Sequence, residues 1–194
     1  MTATTRIYAA CLASYNNGVL HGAWIDCDGK DASELQDEVS AMLRASRFPN
    51  VTVEHEGRQV PSAEEFAIHD REGFGRLVGE YTPLDDIATI AEALNGDHAR
   101  GFRFLVDNNG MSATDAAAKA DEVQIFETSN GLDDLFKEYA AELIADTTDL
   151  ESLPEMIRHN IDYAGIGYDL KCSGELVESE DDDGRFLVTN ANDF

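Results

Sequence analysis

The chain is short of positive charge. Its 194 residues carry 14 lysines and arginines against 39 aspartates and glutamates, a net charge of −25. Only four of the cations are lysines. Phosphates would be repelled along most of such a surface, which excludes nucleic acid as a partner. Long apolar runs are absent too. Nowhere do 18 apolar residues stand together, so no membrane-spanning helix and no membrane partner is expected. The opening MTATTRIYAACLASYNN lacks a charged region followed by a long apolar run, so no signal peptide is expected. Cysteine is scarce: Cys11, Cys27 and Cys172 are odd in number and lack CxxC spacing. They read as reduced thiols of a cytoplasmic protein. The histidines His21, His55, His69, His98 and His159 form no HExxH pair, and no Ser or Cys sits in a nucleophile elbow. No catalytic residue, cofactor or metal is assigned, and the sequence offers no positive argument for an enzyme.

What is present is enough to fold. Hydrophobic residues make up 43% of the chain, too many for a wholly disordered polymer. The length allows one large domain or two to three small modules. The charge is uneven: residues 1–103 hold 17 acids and 9 bases, and residues 104–194 hold 22 acids and 5 bases. Self-repulsion of this size opposes a sphere and favours an extended outline. The expected fold class is α+β, an elongated chain of three modules. Residues 1–81 read as an antiparallel sheet plus a helix, 82–120 as a small helical domain, and 121–194 as acidic helices with a three-stranded sheet.

In chain order, Arg6–Leu12 and His21–Asp26 read as strands, with a turn at Asn16-Asn17-Gly18. Asp31 and Glu34 fit a capping box ahead of a helix carrying Leu35, Val39, Met42 and Leu43. An irregular hairpin around Val51–Val53 and a strand at Phe66–Asp70 follow. Thr82-Pro83 reads as a Thr cap with Pro in the first helical position, ahead of Leu84, Ile87, Ile90, Ala91 and Leu94. Helices at His98–Val106 and Ala113–Ala120 and a strand at Val123–Glu127 come next. Ser152 and Glu155 suggest a second capping box, with Leu153, Met156, Ile157 and Ile161 as an apolar face. Leu176-Val177 and Phe186–Val188 read as a hairpin turning through Glu180–Gly184, with Asp183-Gly184 at the positive-φ positions.

Three short motifs are weak. Asp26-Cys-Asp28-Gly29-Lys-Asp31 resembles a calcium loop, but Asp31 and Asp37 stand where the loop's Gly and bidentate Glu belong. A turn into an Asp-capped helix fits better. Gly73-Phe-Gly75-Arg-Leu-Val-Gly79 has the wrong spacing and acidic surroundings for a phosphate loop. His69-Asp70 suits a structural histidine better than a catalytic pair. A metal-dependent enzyme built on Asp26, Asp28 and Asp31, or on His69 and Asp70, is the least favoured alternative.

The stretch Leu132–Asp169 stands apart. Leu132, Leu135, Phe136, Tyr139 and Leu143 form one helical stripe, and Asp134, Glu138, Glu142 and Asp146 a ladder at i, i+4 on the other side. Like charges at that spacing cost roughly 0.2–0.5 kcal/mol per pair, with only Lys137 nearby to relieve them. A charged solvent face or salt tolerance is the plain explanation; the other is a surface that imitates DNA. Duplex DNA carries one charge per ~1.7 Å, so 25 charges match roughly 43 Å, about 12 base pairs. One helix is too sparse to supply this, because residues four apart rise ~6 Å. The natural partners are basic: a DNA-binding groove, a basic protein face, or cations.

Three segments carry a specific resemblance. RIYAACLASYNNGVLHGAWID at Arg6–Asp26, AEEFAIHDREGF at Ala63–Phe74 and DTTDLESLPEMIRHNIDYAGIGYDLKCSGEL at Asp146–Leu176 resemble, in order, the ArdA antirestriction proteins. The resemblance implies a non-enzymatic α+β homodimer, acidic throughout, that mimics B-form DNA. Such proteins occupy the DNA-binding groove of type I restriction–modification enzymes, blocking restriction and often modification. They are typically carried by conjugative plasmids, transposons or phages. The phosphate-mimicking candidates are Asp133, Asp134, Glu138, Glu142, Asp146, Asp149, Glu151, Glu155, Asp162 and Asp169, with Asp85, Asp86 and Glu92 of the middle module. A generic acidic adaptor for basic proteins is the alternative. In the last helix, Gly165 and Gly167 would each cost roughly 1 kcal/mol relative to Ala.

Overall fold

The computed structural model describes residues 4–48, 52–55, 58–61, 65–128, 134–181 and 184–194. Its contacts divide the chain into two units: Met1–Ala99 with Met111–Ala117, and Arg100–Gly110 with Ala118–Phe194. Each holds a three-stranded antiparallel sheet with helices, so the fold class is α+β, as the sequence implies.

In the first unit, β1 (Arg6–Cys11) lies between β2 (Gly22–Asp26) and β5 (Phe66–Glu72). The pairing Ile7↔Ile25 and Ala9↔Ile68 puts those side chains on one face, where all are buried. Helix α2 (Ala32–Arg44) packs on the sheet with Leu35, Val39, Met42 and Leu43. Its start is the expected capping box: Asp31 Oδ1 accepts from Glu34 N at 2.9 Å, and Glu34 Oε2 from Asp31 N at 3.0 Å. The β1–β5 register shifts after Tyr8, leaving His69 as the extra residue of a bulge. A separate hairpin pairs β3 (Thr52–His55) with β4 (Arg58–Pro61), where the sequence suggests one; Val51 lies outside the described residues.

Two local expectations fail here. Leu12 does not extend the first strand but opens α1 (Leu12–Asn16), a single turn that ends at the expected Asn17-Gly18 turn, with Gly18 at φ 71°. Thr82 does not cap the next helix. Pro83 occupies the N-cap of α3 (Leu84–Asn95), and the Thr82 hydroxyl instead accepts from Gly79 N at 2.8 Å.

Helices α4 (Ala99–Asp107) and α5 (Ala113–Lys119) follow. In the second unit, β8 (Gly184–Val188) pairs with β6 (Ile125–Phe126) on one side and β7 (Val177–Asp181) on the other. The β6 strand is two residues long where the sequence suggests five. Gln124 is instead held by Asn190, whose side chain accepts from its N–H at 2.9 Å. The hairpin closes Asp181 opposite Gly184 at φ 129°; Asp183 lies outside the described residues.

Helices α6 (Leu135–Thr147) and α8 (Tyr163–Ser173) pack together, joined through the single turn α7 (Glu155–Arg158). Leu135, Leu176 and Leu187 form the core beneath them, with Phe126, Phe136, Tyr139 and Leu170 packed around it. Leu132, expected at the head of the α6 stripe, lies outside the described residues. Among the described residues, no helix is long and apolar enough to cross a membrane.

Candidate partner-binding surface

The α6 acids do not share one environment. Asp134 is the helix N-cap, its Oδ1 accepting from Lys137 N at 3.1 Å. Its charge sits at the positive end of the helix rather than in a purely repulsive ladder. Glu142 and Asp146 are exposed. Glu138 is half-buried, and its Oε1 is closed to solvent without a hydrogen-bond partner among the described residues.

Beyond α6, Asp149 is exposed ahead of a 3-10 turn, its carbonyl accepting from the Ser152 hydroxyl at 2.7 Å. That hydroxyl therefore does not cap α7, and the second capping box does not form; Pro154 takes the N-cap position. The apolar face expected on this turn is also largely outside the core. Met156 is 79% exposed and Ile157 53%, because a four-residue helix is too short to seat a full stripe. Glu151 bridges to Arg158 at 2.9 Å, and Glu155 lies 4.0 Å from His159 Nδ1.

Asp162 caps α8, accepting from Gly165 N at 2.9 Å. Gly167 faces α6, so at 100° per residue Asp162 and Asp169 fall on the far side of α8, where both are exposed. Both cap roles escaped the sequence reading. The available signal was an Asp three residues ahead of a first-turn amide at a helix start.

In the first unit, Asp85 and Asp86 occupy the first turn of α3, favourably placed against its dipole. Asp85 and Glu92 line an open groove of about 630 Å³ with Lys30, Asp31, Thr89 and Asn95. Asp86 is half-buried. Asp133 lies outside the described residues.

Several of the scarce cations are spent elsewhere. Arg6 pairs with Glu72, Lys30 with Glu38, Arg100 with Asp181 and Glu127, and Arg185 with Glu178. Among the described residues, no ion pair reaches Asp85, Asp86, Glu92, Glu142, Asp146, Asp149, Asp162 or Asp169. Their charge is left for solvent or for a partner.

The weak motifs resolve into structure. Asp28 Oδ1 accepts from the Thr5 N–H at 3.0 Å, the Thr5 hydroxyl, and Asn95 Nδ2 at 2.9 Å. Burial alone would raise this carboxyl, but the three bonds outweigh it and hold the group below the usual carboxylate range. Asp26 accepts from Asp28 N, and Asp31 caps α2. Among the described residues, no group of three or more His, Cys, Asp or Glu is placed to hold a metal ion. His69 packs edge-on against Tyr15, ring centroids 4.9 Å apart, and Asp70 accepts from Arg71 N. Phe74 and Val78 of the glycine-rich segment are fully buried, so the segment plugs the core.

No curated protein sequence matches the chain. The sequence profile of the family described as antirestriction protein (ArdA) matches residues 7–182, which include every described carboxylate placed above, nearly all of the first unit's sheet, and β6 and β7 of the second. With so much of its length matched, the chain belongs to the ArdA family of antirestriction proteins.

Proposed function

We propose that the protein acts without catalysis, as an acidic mimic of B-form DNA that competes for the DNA-binding groove of type I restriction–modification enzymes. The observation that carries this reading is the set of carboxylates on α3, α6 and α8 that no ion pair reaches among the described residues, in a chain of net charge −25. A groove built for phosphates supplies the missing cations, and the entropy of released counterions favours the exchange. Restriction is blocked, and modification with it wherever both activities need that groove. A cytoplasmic homodimer doubles the charge, matching roughly 25 base pairs of duplex.

The test is a phage or plasmid restriction assay in bacteria carrying a type I system, with and without the protein. Restriction should fall by orders of magnitude, and complex formation between the purified partners should weaken steeply with salt. Unchanged restriction, or equal binding to an unrelated basic protein, would sink the proposal; the second result would favour a general acidic adaptor.

A further inference from the structure

The sheet of the first unit has a second face. Residues paired across strands share a side, so Arg6, Tyr8, Trp24, Asp26, Asp70 and Glu72 all lie opposite the face that α2 covers. At one end this face is closed, with Ala10 and Ala67 buried. The other end is open. Trp24, the chain's one tryptophan, is 39% exposed there. It meets Tyr8 edge to face, ring centroids 5.6 Å apart and planes at 63°. Gly22 allows this arrangement: a Cβ there would stand 2.8 Å from the Tyr8 ring.

The occupant this face suits is already represented in the structure. The Arg6 guanidinium lies 4.7 Å from the centre of the Trp24 ring and is held by Glu72 at 2.7 Å. The ring thus accepts a cation above it with a carboxylate beside it. Over a third of the Trp24 surface stays uncovered, and two further carboxylates share its sheet face. Asp26 and Asp70 each use one oxygen on a backbone amide, Asp28 N at 3.1 Å and Arg71 N at 2.8 Å. The second oxygen of each makes no bond among the described residues. Aromatic area beside unpaired carboxylates is a receptor for arginine, through cation–π stacking and charge-assisted hydrogen bonds together.

We propose that this open sheet face is a docking surface for an arginine-bearing segment of the restriction enzyme, seated on Trp24 and Tyr8 between Asp26 and Asp70. The inference rests on the DNA-mimic reading and adds a contact to it. It supplies an anchor of stacked aromatic area, where the acidic helices supply a diffuse field. Tryptophan at the centre of an interface commonly dominates its affinity, whereas distributed surface charges contribute little apiece.

Trp24 being the sole tryptophan makes the test direct. Protein carrying 5-fluorotryptophan gives one fluorine resonance, and the unlabelled type I enzyme is invisible beside it. In the free protein this line should move between H2O and D2O, because the ring is exposed. On saturation with the enzyme the solvent isotope shift should vanish. In parallel, Trp24→Ala should need at least tenfold more protein for half inhibition, with its salt dependence unchanged because no charge is lost; Trp24→Phe should recover most of the activity. Circular dichroism verifies that the variants fold. The fluorine measurement needs no variant and decides the matter alone if Trp24→Ala unfolds. An isotope shift that persists in the full complex overturns this inference and leaves the DNA-mimic reading intact. Failure to form any complex overturns both.

Discussion

Gly167 of α8 lies directly against the backbone of Phe136 in α6: a Cβ at Gly167 would stand 2.5 Å from the Phe136 carbonyl oxygen. The helices meet closer than any side chain there would permit. Intrinsic propensity says that Ala in place of Gly gains roughly 1 kcal/mol in a helix. Overpacking a tight contact costs roughly 1–3 kcal/mol, and here the obstacle is backbone that cannot swing aside. The contact should win. Gly167→Ala is expected to lower stability by about 1–2 kcal/mol, read as a drop in the thermal midpoint. A raised midpoint would show that propensity, not packing, governs this position.

Arg100 offers a test of the second unit's internal ties. Its Nε donates to Asp181 at 2.6 Å, a further nitrogen donates to the same carboxylate at 3.0 Å, and Glu127 pairs with it as well. The guanidinium also stacks over Phe186, 4.7 Å from the ring centre. These bonds raise its pKa further above the usual arginine range, so it stays charged at every pH of interest. The planar fork and the stack are both lost on going to lysine. Arg100→Lys should therefore destabilise the protein almost as much as Arg100→Ala, by roughly 2 kcal/mol. Urea unfolding of the two variants side by side measures this. A lysine variant equal to the parent would mean that charge alone suffices.

These two sites also show where sequence reading stops. Local patterns in the sequence carried most of the elements. The Asp31–Glu34 box, the Leu35–Val39–Leu43 stripe and the Asn17-Gly18 turn each depend on residues within a few positions of one another. In the sequence Gly167 reads only as a weakness in a helix, because its reason lies in a backbone 31 positions earlier in the chain. Ser152-Leu-Pro154-Glu155 reads as a capping box, yet Pro154 displaces the cap by two residues and the Ser152 hydroxyl donates to the Asp149 carbonyl. The acidic ladder was legible as a count. Its division into caps, exposed acids and a half-buried Glu138 depends on where α8 and the sheet lie, which no periodicity encodes.

Asp28 should couple stability to pH. Its carboxyl is held below its usual value of 3.8 in the folded protein. A depressed folded-state value means that the unfolded chain takes up the proton first. The contribution is therefore fully present above about pH 3.8 and disappears as pH falls through the lower folded value. Asp28→Asn keeps an acceptor for Thr5 but loses the charge-assisted character of three bonds that join the start of β1, the β2–α2 turn and α3. The variant should be less stable than the parent at pH 7 by roughly 1–2 kcal/mol. The gap should narrow below about pH 4. Chemical denaturation of both proteins at pH 7, 5, 4 and 3 follows it, and a gap independent of pH would place the effect in packing rather than charge.

The exposed carboxylates should show opposite signs in binding and in stability. Glu142, Asp146 and Asp169 are exposed and lack ion pairs among the described residues. Glu138, Glu142 and Asp146 follow one another at i, i+4, where like charges repel by roughly 0.2–0.5 kcal/mol per pair. Removing Glu142, the middle member, relieves two such pairs. Glu142→Gln should stabilise the fold slightly, by roughly 0.5 kcal/mol, while weakening inhibition no more than a few-fold. The triple variant Glu142→Gln, Asp146→Asn, Asp169→Asn should lose affinity cumulatively and show a shallower dependence on salt, since three fewer charges meet the partner. Thermal unfolding and salt-dependent titration against the same enzyme separate the two effects. If one of these neutralisations abolished inhibition while the fold survived, the partner would be reading a specific carboxylate, and an electrostatic surface spread over many groups would no longer describe the interaction.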